Sequence, residues 1–394
     1  MMHGPLDGIL VVDLSRALAG PHAAMMLGDL GARVIKVESP DGGDDSRKWG
    51  PPFVKGSDGE QHSTYFLSCN RNKESIALDL KSNDGRITLA ELVRRADVLI
   101  ENFRPGVLDR LGFSIAALQE LNSRLVVLSI SGFGHDGPEG ARAGYDQIAQ
   151  GEAGLMSLTG PGPDEPTQVG VPIADLLAGM YGAFGVTAAL HERSVTGLGR
   201  VVRTSLLASV VGVHAYQGTR YTVAGEVPRA TGGHHPSICP YGLFHSASGP
   251  LVIAIGSDGL WQRFAPTFGL DRPEWASNPQ RVRDREAVIS AIETVFANVP
   301  SEELLVKLDN IGVPAGRVRD LGEVYTWDQV RSQGLLIEVE HAALGRVVLP
   351  GPALRFDDAS FAGGREINIA PPTLDQQGAA IRKWLTQEPR PEGL

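Results

Sequence analysis

Short, nearly unbroken apolar runs alternate with helical periodicities through the first two hundred residues. Residues 8–14 (GILVVDL) predict a buried strand, and 20–30 a helix with Pro21 in its first turn. Residues 33–38 (RVIKVE) and 75–80 predict two further strands. A helix follows at 87–96, then strands at 98–102 (VLIEN) and 125–131 (LVVLSIS). Strand and helix alternating at this spacing imply βαβ units, hence an α/β class with a mostly parallel sheet covered by helices on both faces. Residues 1–200 form this large domain.

The pattern changes near Ser194. A glycine-rich link (TGLGR) leads to a strand and helix at 201–217, then to a stretch rich in Gly, Pro and His at 225–240. A strand is expected at 251–256 and helices at 261–269, 284–297 and 301–312. Asp284 and Ser301 stand where N-caps belong, and Glu302 and Glu303 suit a first helical turn. Residues 225–325 are therefore read as a smaller α+β domain. Residues 330–394 carry two short strands (LIEVEH, RVVLPG), return to the large domain and end in a frayed tail, QEPRPEGL.

Composition narrows the picture. With 42% hydrophobic and 21% charged residues the 394-residue chain is globular, and its length suits two domains. A formal charge of −10 argues against nucleic acid but leaves room for a local basic pocket. Only Cys69 and Cys239 occur, which excludes a disulfide framework and fits a reducing cytosol. The start, MMHGPLDGILVVDL, shows no secretory pattern. The uncharged run between Asp175 and His191 is short for a membrane span and carries Gly179, Gly182 and Gly185, so it is read as a buried helix.

The loop after the first strand reads SRALAGPH, without the glycines of a dinucleotide fingerprint, and no Walker sequence follows, so NAD and ATP are disfavoured. Lys73, and Arg104 and Arg110 in ENFRPGVLDRLG, are the basic residues to notice. Asn102, Phe103 and Arg104 after a predicted strand could meet a purine and a phosphate, or form an ordinary strand-end turn. Tyr145-Asp146 opens a helix, where a carboxylate is either a dipole-stabilising residue or a nucleophile. His135 and Asp136 read as turn residues. Asp175 reads as an N-cap, or as a second catalytic carboxylate. His234, His235 and Cys239 make a poor zinc site and better suit a glycine-flanked loop that closes over a substrate.

Taken together, VVDLSRALAGPHAAMMLGDLGARVIKVE, NRNKESIALDLK, DVLIENFRPGVLDRLG, SGFGHDGPEGARAGYDQIAQ and PIADLLAGMYGAFGVTAALHER resemble the class III CoA transferases. This is the formyl-CoA transferase or carnitine-CoA-transferase-like (CaiB/BaiF) family. GGHHPSICPYGLF and IGVPAGRVRDLGEV also resemble it. The resemblance implies a Rossmann-like large domain, a smaller domain, and a homodimer of two interlocked chains. It puts the nucleophile on Asp146 and CoA contacts on Arg16, Ala17, Leu18, Ala19, Lys73, Asn102, Phe103, Arg104 and Arg110. The substrate loop falls on Gly232, Gly233, His234 and His235. Coenzyme A enters as part of the substrate, with no metal or permanently bound cofactor, no nucleic acid and no membrane partner. Formyl-specific members carry a run of glycines in that loop. The His-Pro-Ser version here points away from formate and oxalate and toward dicarboxylic acids such as succinate, glutarate or mesaconate.

Two other readings stand beside transfer. α-Methylacyl-CoA racemases of this family carry a histidine where Tyr145 stands, which removes their expected base, while Asp175 matches their second acid. A CoA-binding protein without turnover is the third.

Overall fold

A computed structural model describes residues 4–140, 142–356 and 363–387. The predicted fraying of QEPRPEGL therefore lies, from Glu388 onward, outside the described residues. The chain divides into two compact units, one of 1–155, 169–224 and 327–394, the other of 156–168 and 225–326.

The first unit is built from β1 (Leu10–Asp13), α1 (Ala19–Asp29), β2 (Arg33–Glu38), β3 (Lys73–Ala77), α2 (Asn83–Arg95), β4 (Val98–Glu101), β5 (Val126–Ser131), α3 (Asp146–Glu152), α4 (Ile173–Thr196) and β6 (Val201–Ser205). The strands lie in the order β3-β2-β1-β4-β5-β6, every neighbouring pair parallel. Parallel strands covered on both faces need apolar side chains on both sides, which is why LVVD and VVLSI read as continuous runs. Val11 faces a core with Ala23, Leu27, Leu128 and Val186, while its neighbours Leu10 and Val12 face another with Leu89, Leu92 and Val127.

α4 lies close against α1 and the sheet, and its glycines permit the approach. A Cβ on Gly179 would stand 2.8 Å from the Ala19 carbonyl oxygen, one on Gly182 2.8 Å from Leu128, and one on Gly185 2.6 Å from Val202. The free edge of β3 is covered from the C-terminal segment. There the Gln377 side chain accepts from Ser75 N–H (2.9 Å) and the Asp375 carboxylate from Ala77 N–H (2.8 Å).

The second unit holds an antiparallel sheet of β7 (Tyr241–Ser246), β8 (Gly249–Ala254) and β9 (Ala315–Arg317), in the order β9-β8-β7. Helices α5 (Asp258–Thr267), α6 (Arg285–Phe296) and α7 (Ser301–Asn310) close a core of Phe244, Ile253, Trp261, Phe264, Phe296 and Leu308. The expected caps differ from those found. Asp284 precedes α6, but its carboxylate pairs with Arg283 instead of capping the helix. Ser301 is already helical, and its N–H is met by the Ser248 hydroxyl at 2.8 Å from the β7–β8 turn. β7 escaped the sequence reading because YGLFHS follows a Gly- and Pro-rich stretch and mixes buried with exposed positions.

Because the atom nearest a Cβ at Gly179 is backbone, a larger side chain there must push α4 off α1. Gly179→Val should lower stability by about 1–3 kcal/mol in urea unfolding. An unchanged midpoint would mean the helix has room to spare.

Candidate active site

The strand order reverses between β1 and β4, and ligands of such sheets bind outside the carboxyl ends at that point. The loops leaving these two strands are joined by one side chain. Asn102 accepts from Arg16 N–H and donates to Arg16 C=O, both at 2.8 Å. Behind the loop, the Lys36 ammonium donates to Ser15 C=O (2.9 Å) and the Asp44 carboxylate accepts from Ala17 N–H (3.1 Å). These bonds hold Ala17 at a φ of 65°, in the left-handed region. The Arg16 guanidinium stands 5.6 Å from the centre of the Phe103 ring. Arg16, Arg104 and Arg110 are exposed and make no ion pair among the described residues. An aromatic face and three free guanidiniums near one reversal point suit a ligand with phosphates and a base.

Lys73 stands elsewhere than expected. It is 1% exposed, and its ammonium donates to Asp13 (2.9 Å), Pro21 C=O (2.8 Å) and Asn70 (2.9 Å). An ammonium has three hydrogens, and all three are used within the protein. Lys73 is a buried counter-ion to Asp13, and the cations left for a ligand are the arginines.

The two candidate carboxylates meet at the start of α4. Asp146 opens α3, and its Oδ1 accepts from the N–H groups of Ala174 (2.8 Å) and Asp175 (3.2 Å) in the first turn of α4. Its Oδ2 accepts from the Gln150 side chain at 2.6 Å. Pro172 occupies the N-cap position of α4 and offers no side-chain bond, so the Asp146 carboxylate supplies the cap from a different helix. The N-cap role expected of Asp175 thus falls to Asp146. Asp175 lies in the first turn, half-buried, and its carboxyl makes no hydrogen bond or ion pair among the described residues. Burial, and then the charge of Asp146, push it up to about 7.

Tyr65 and Gln150 belong to this constellation and escaped the sequence reading. Tyr65 packs with Leu176 against Leu18, Met25 and Cys69, so it links the loop after β1 to the start of α4. Its hydroxyl is held well above the usual phenol range by burial and by the nearby charges of Asp175 and Asp146. Gln150 is fully buried and also accepts from Val169 N–H at 2.9 Å. Its one available signal was its position four residues after Asp146, on the same helical face.

His135 is not simply a turn residue. Its Nε2 lies 2.7 Å from the Ser129 hydroxyl, which in turn bonds Glu101. Gly232, Gly233, His234 and His235 belong to the second unit. There Gly232 has a φ of 63° and its N–H bonds Gly160 C=O. The His235 ring stacks on Tyr241, and Arg285 donates to the carbonyls of His235 (2.7 Å) and Pro236 (2.8 Å). Gly233 is tied as well, its C=O accepting from Leu243 N–H at 2.9 Å, so both halves of this segment are hydrogen-bonded within their unit.

The raised Asp175 gives a stability prediction. From the ordinary carboxyl value up to about 7, the folded protein holds a proton that the unfolded chain has lost. Stability must then fall as pH rises through that window, and the loss is complete above it. Asp175→Asn should be the more stable protein at pH 8 by roughly 1–3 kcal/mol, with the gain vanishing near pH 4. Thermal unfolding across pH checks this, and a gain independent of pH would contradict it.

The sequence profile of CoA-transferase family III matches residues 6–378. The chain is 40% identical over 352 residues to the succinate–glutarate CoA-transferase of Agrobacterium fabrum, covering 88% of each. It is 37% identical to the human succinyl-CoA:glutarate CoA-transferase, over 96% of this chain and 85% of that one. It is also 37% identical to the acetyl-CoA:oxalate CoA-transferase of Acetobacter aceti, over 96% and 95%. Among solved structures, a CaiB/BaiF family protein of Brucella suis superposes with a TM-score of 0.85 at 39% identity, over 97% of this chain and all of that one. The chain belongs to CoA-transferase family III and is a CoA-transferring enzyme.

Proposed function

We propose that the enzyme moves CoA from an acyl-CoA to a free dicarboxylic acid through a covalent intermediate on Asp175. Relatives named for succinate, glutarate and oxalate support the dicarboxylic class. The Acetobacter relative's name includes oxalate, so the loop sequence does not by itself argue against that acid.

The sequence resemblance pointed to Asp146, and the observation that favours Asp175 is the state of the two carboxylates. Asp146 accepts three N–H bonds, two on Oδ1 from the start of α4 and one on Oδ2 from Gln150 of its own helix, and attack through either oxygen would cost at least one of them. The Asp175 carboxyl has no partner among the described residues and is poorly solvated, which leaves its charged form the more reactive.

The Asp175 carboxylate attacks the thioester carbonyl; the C–S bond breaks, and a mixed anhydride and CoA thiolate result. The thiolate attacks the aspartyl carbonyl and expels the donor acid as its carboxylate, leaving an aspartyl-CoA thioester. The acceptor carboxylate then attacks this thioester, and the released thiolate takes the acceptor's acyl group and frees Asp175. No redox step and no net proton transfer occur. Asn102, Phe103, Arg16, Arg104 and Arg110 hold the CoA, and exclusion of water from the anhydride protects it from hydrolysis.

α4 is 24 residues long and contains an 18-residue stretch with a mean hydropathy of 1.5, long and apolar enough by composition to cross a membrane. Its Ala178, Gly182 and Val186 are buried, while Met180, Tyr181 and Phe184 are exposed, as are Tyr145 just before α3 and Ile148 on it. This exposed apolar surface supports a homodimer, for which interlocking is the expected form. Two buried, unpaired cysteines support a reducing, cytoplasmic setting.

Borohydride added to enzyme mixed with succinyl-CoA should convert residue 175 to homoserine, by reduction of its thioester. Asp175→Ala should lose both the trap and turnover, by at least a thousandfold. Homoserine at residue 146 instead would return the nucleophile to Asp146. Deuterium wash-in at the α-carbon of a 2-methylacyl-CoA without CoA transfer would favour the racemase.

A further inference from the structure

We infer that Asp146 is a positioning residue that occupies the hydrogen-bond donors at the start of α4 and so keeps Asp175 unbound and reactive. This rests on the reading of Asp175 as nucleophile. A carboxylate in the first turn of a 24-residue helix is ordinarily stabilised there, by unsatisfied N–H groups and by the positive end of the helix. Such stabilisation would hold Asp175 as a weak nucleophile. In this protein the N–H groups of Ala174 and Asp175 already donate to Asp146. The Asp146 charge also opposes the field of the helix end.

Asp146 is held in turn. Gln150 is fully buried, accepts from Val169 N–H through its oxygen and therefore turns its amide N–H toward Asp146. That arrangement demands an acceptor on both sides of residue 146. A carboxylate provides one, whereas an asparagine would set its own N–H group against a donor. The orientation of Gln150 thus specifies an acid at this place independently of any role in attack.

The other groups near Asp175 leave Asp146 as its main electrostatic partner. Tyr65, on the helix Thr64–Ser68, is kept neutral by burial and by both carboxylates. His22 of α1, packed against Gly179, is pushed down to about 4 by burial and by Arg71 and Lys73, so it carries no charge near neutrality. Arg203 of β6 lies near His135. The helix Leu206–Gly212, packed on α3 and α4, carries no ionisable side chain.

The test compares Asp146→Asn and Asp146→Glu with the natural enzyme, all three checked by thermal unfolding. Attack requires ionised Asp175, so kcat/KM rises with pH through an acid limb near 7. Asp146→Asn removes the opposing charge, so its acid limb should move down by about one pH unit or more, with a tenfold or greater fall in kcat and a KM for acyl-CoA within about threefold. Asp146→Glu keeps the charge but displaces the cap, so its limb should stay in place while kcat falls. An acid limb unmoved in folded Asp146→Asn would overturn the inference and leave residue 146 a structural cap only. Borohydride trapping in the same variants keeps the two readings apart. Homoserine still at 175 with an unmoved limb sinks this inference alone, whereas its absence there in the natural enzyme sinks the assignment of the nucleophile.

Discussion

The carboxylate of Asp146 on the first N–H groups of α4 is the contact on which the site depends. It joins α3, which follows the fifth strand of the sheet, to the longest helix of the unit, and it does so where Asp175 leaves the backbone. The rest of the first unit fixes both ends of that contact. Glycines at 179, 182 and 185 let α4 lie close on α1, β5 and β6. Gln150, buried beneath Asp146, ties α3 to the segment that leads into α4. Asp175, half-buried and without a hydrogen bond or ion pair to its carboxyl among the described residues, costs stability when it is ionised. The apolar packing around it and the satisfied cap beside it offset that cost.

The second half of the site has a different kind of support. The loop after β1 is clamped from the front by Asn102 and from behind by Lys36 and Asp44, which form part of a buried network with Asp13, Lys73, Glu38 and Arg47. Breaking such a network strands a buried charge, so it resists rearrangement. The result is a rigid pair of loops at the sheet reversal, presenting Arg16, Phe103, Arg104 and Arg110. Leu18, Tyr65 and Leu176 carry that rigidity across to the carboxylates.

The parallel sheet was legible because buried strands have to be apolar on both faces, and LVVD, RVIKVE, VLIE and VVLSIS betray that without reference to anything distant. Asn102, Phe103 and Arg104 were legible as a strand-end cluster. What pairs with what was not. Lys73 looks like a ligand-binding lysine in NRNKES, and only the approach of Asp13 from sixty residues away makes it a counter-ion. Asp146 looks like a first-turn acid and Asp175 like an N-cap, and nothing local says that the first caps the helix of the second. Ser248 replaces Ser301 as a cap for the same reason. Tyr65 carries no chemical signature in its own segment. Contacts across long sequence distances decide roles that residue type leaves open.

With Asp175 as nucleophile, one of its oxygens bonds to the acyl carbon during transfer, and isotope tracing reads this directly. With the acceptor acid labelled by oxygen-18 in its carboxylate, each turnover through an anhydride leaves one labelled oxygen on the nucleophilic aspartate. Both aspartates fall between Arg142 and Arg193, so fragmentation of the peptide spanning them must locate the label. After many turnovers with donor, CoA and labelled acid, oxygen-18 should be found on Asp175 and not on Asp146. Label on Asp146, or an unlabelled enzyme that has nonetheless turned over, would rule out Asp175 as the nucleophile.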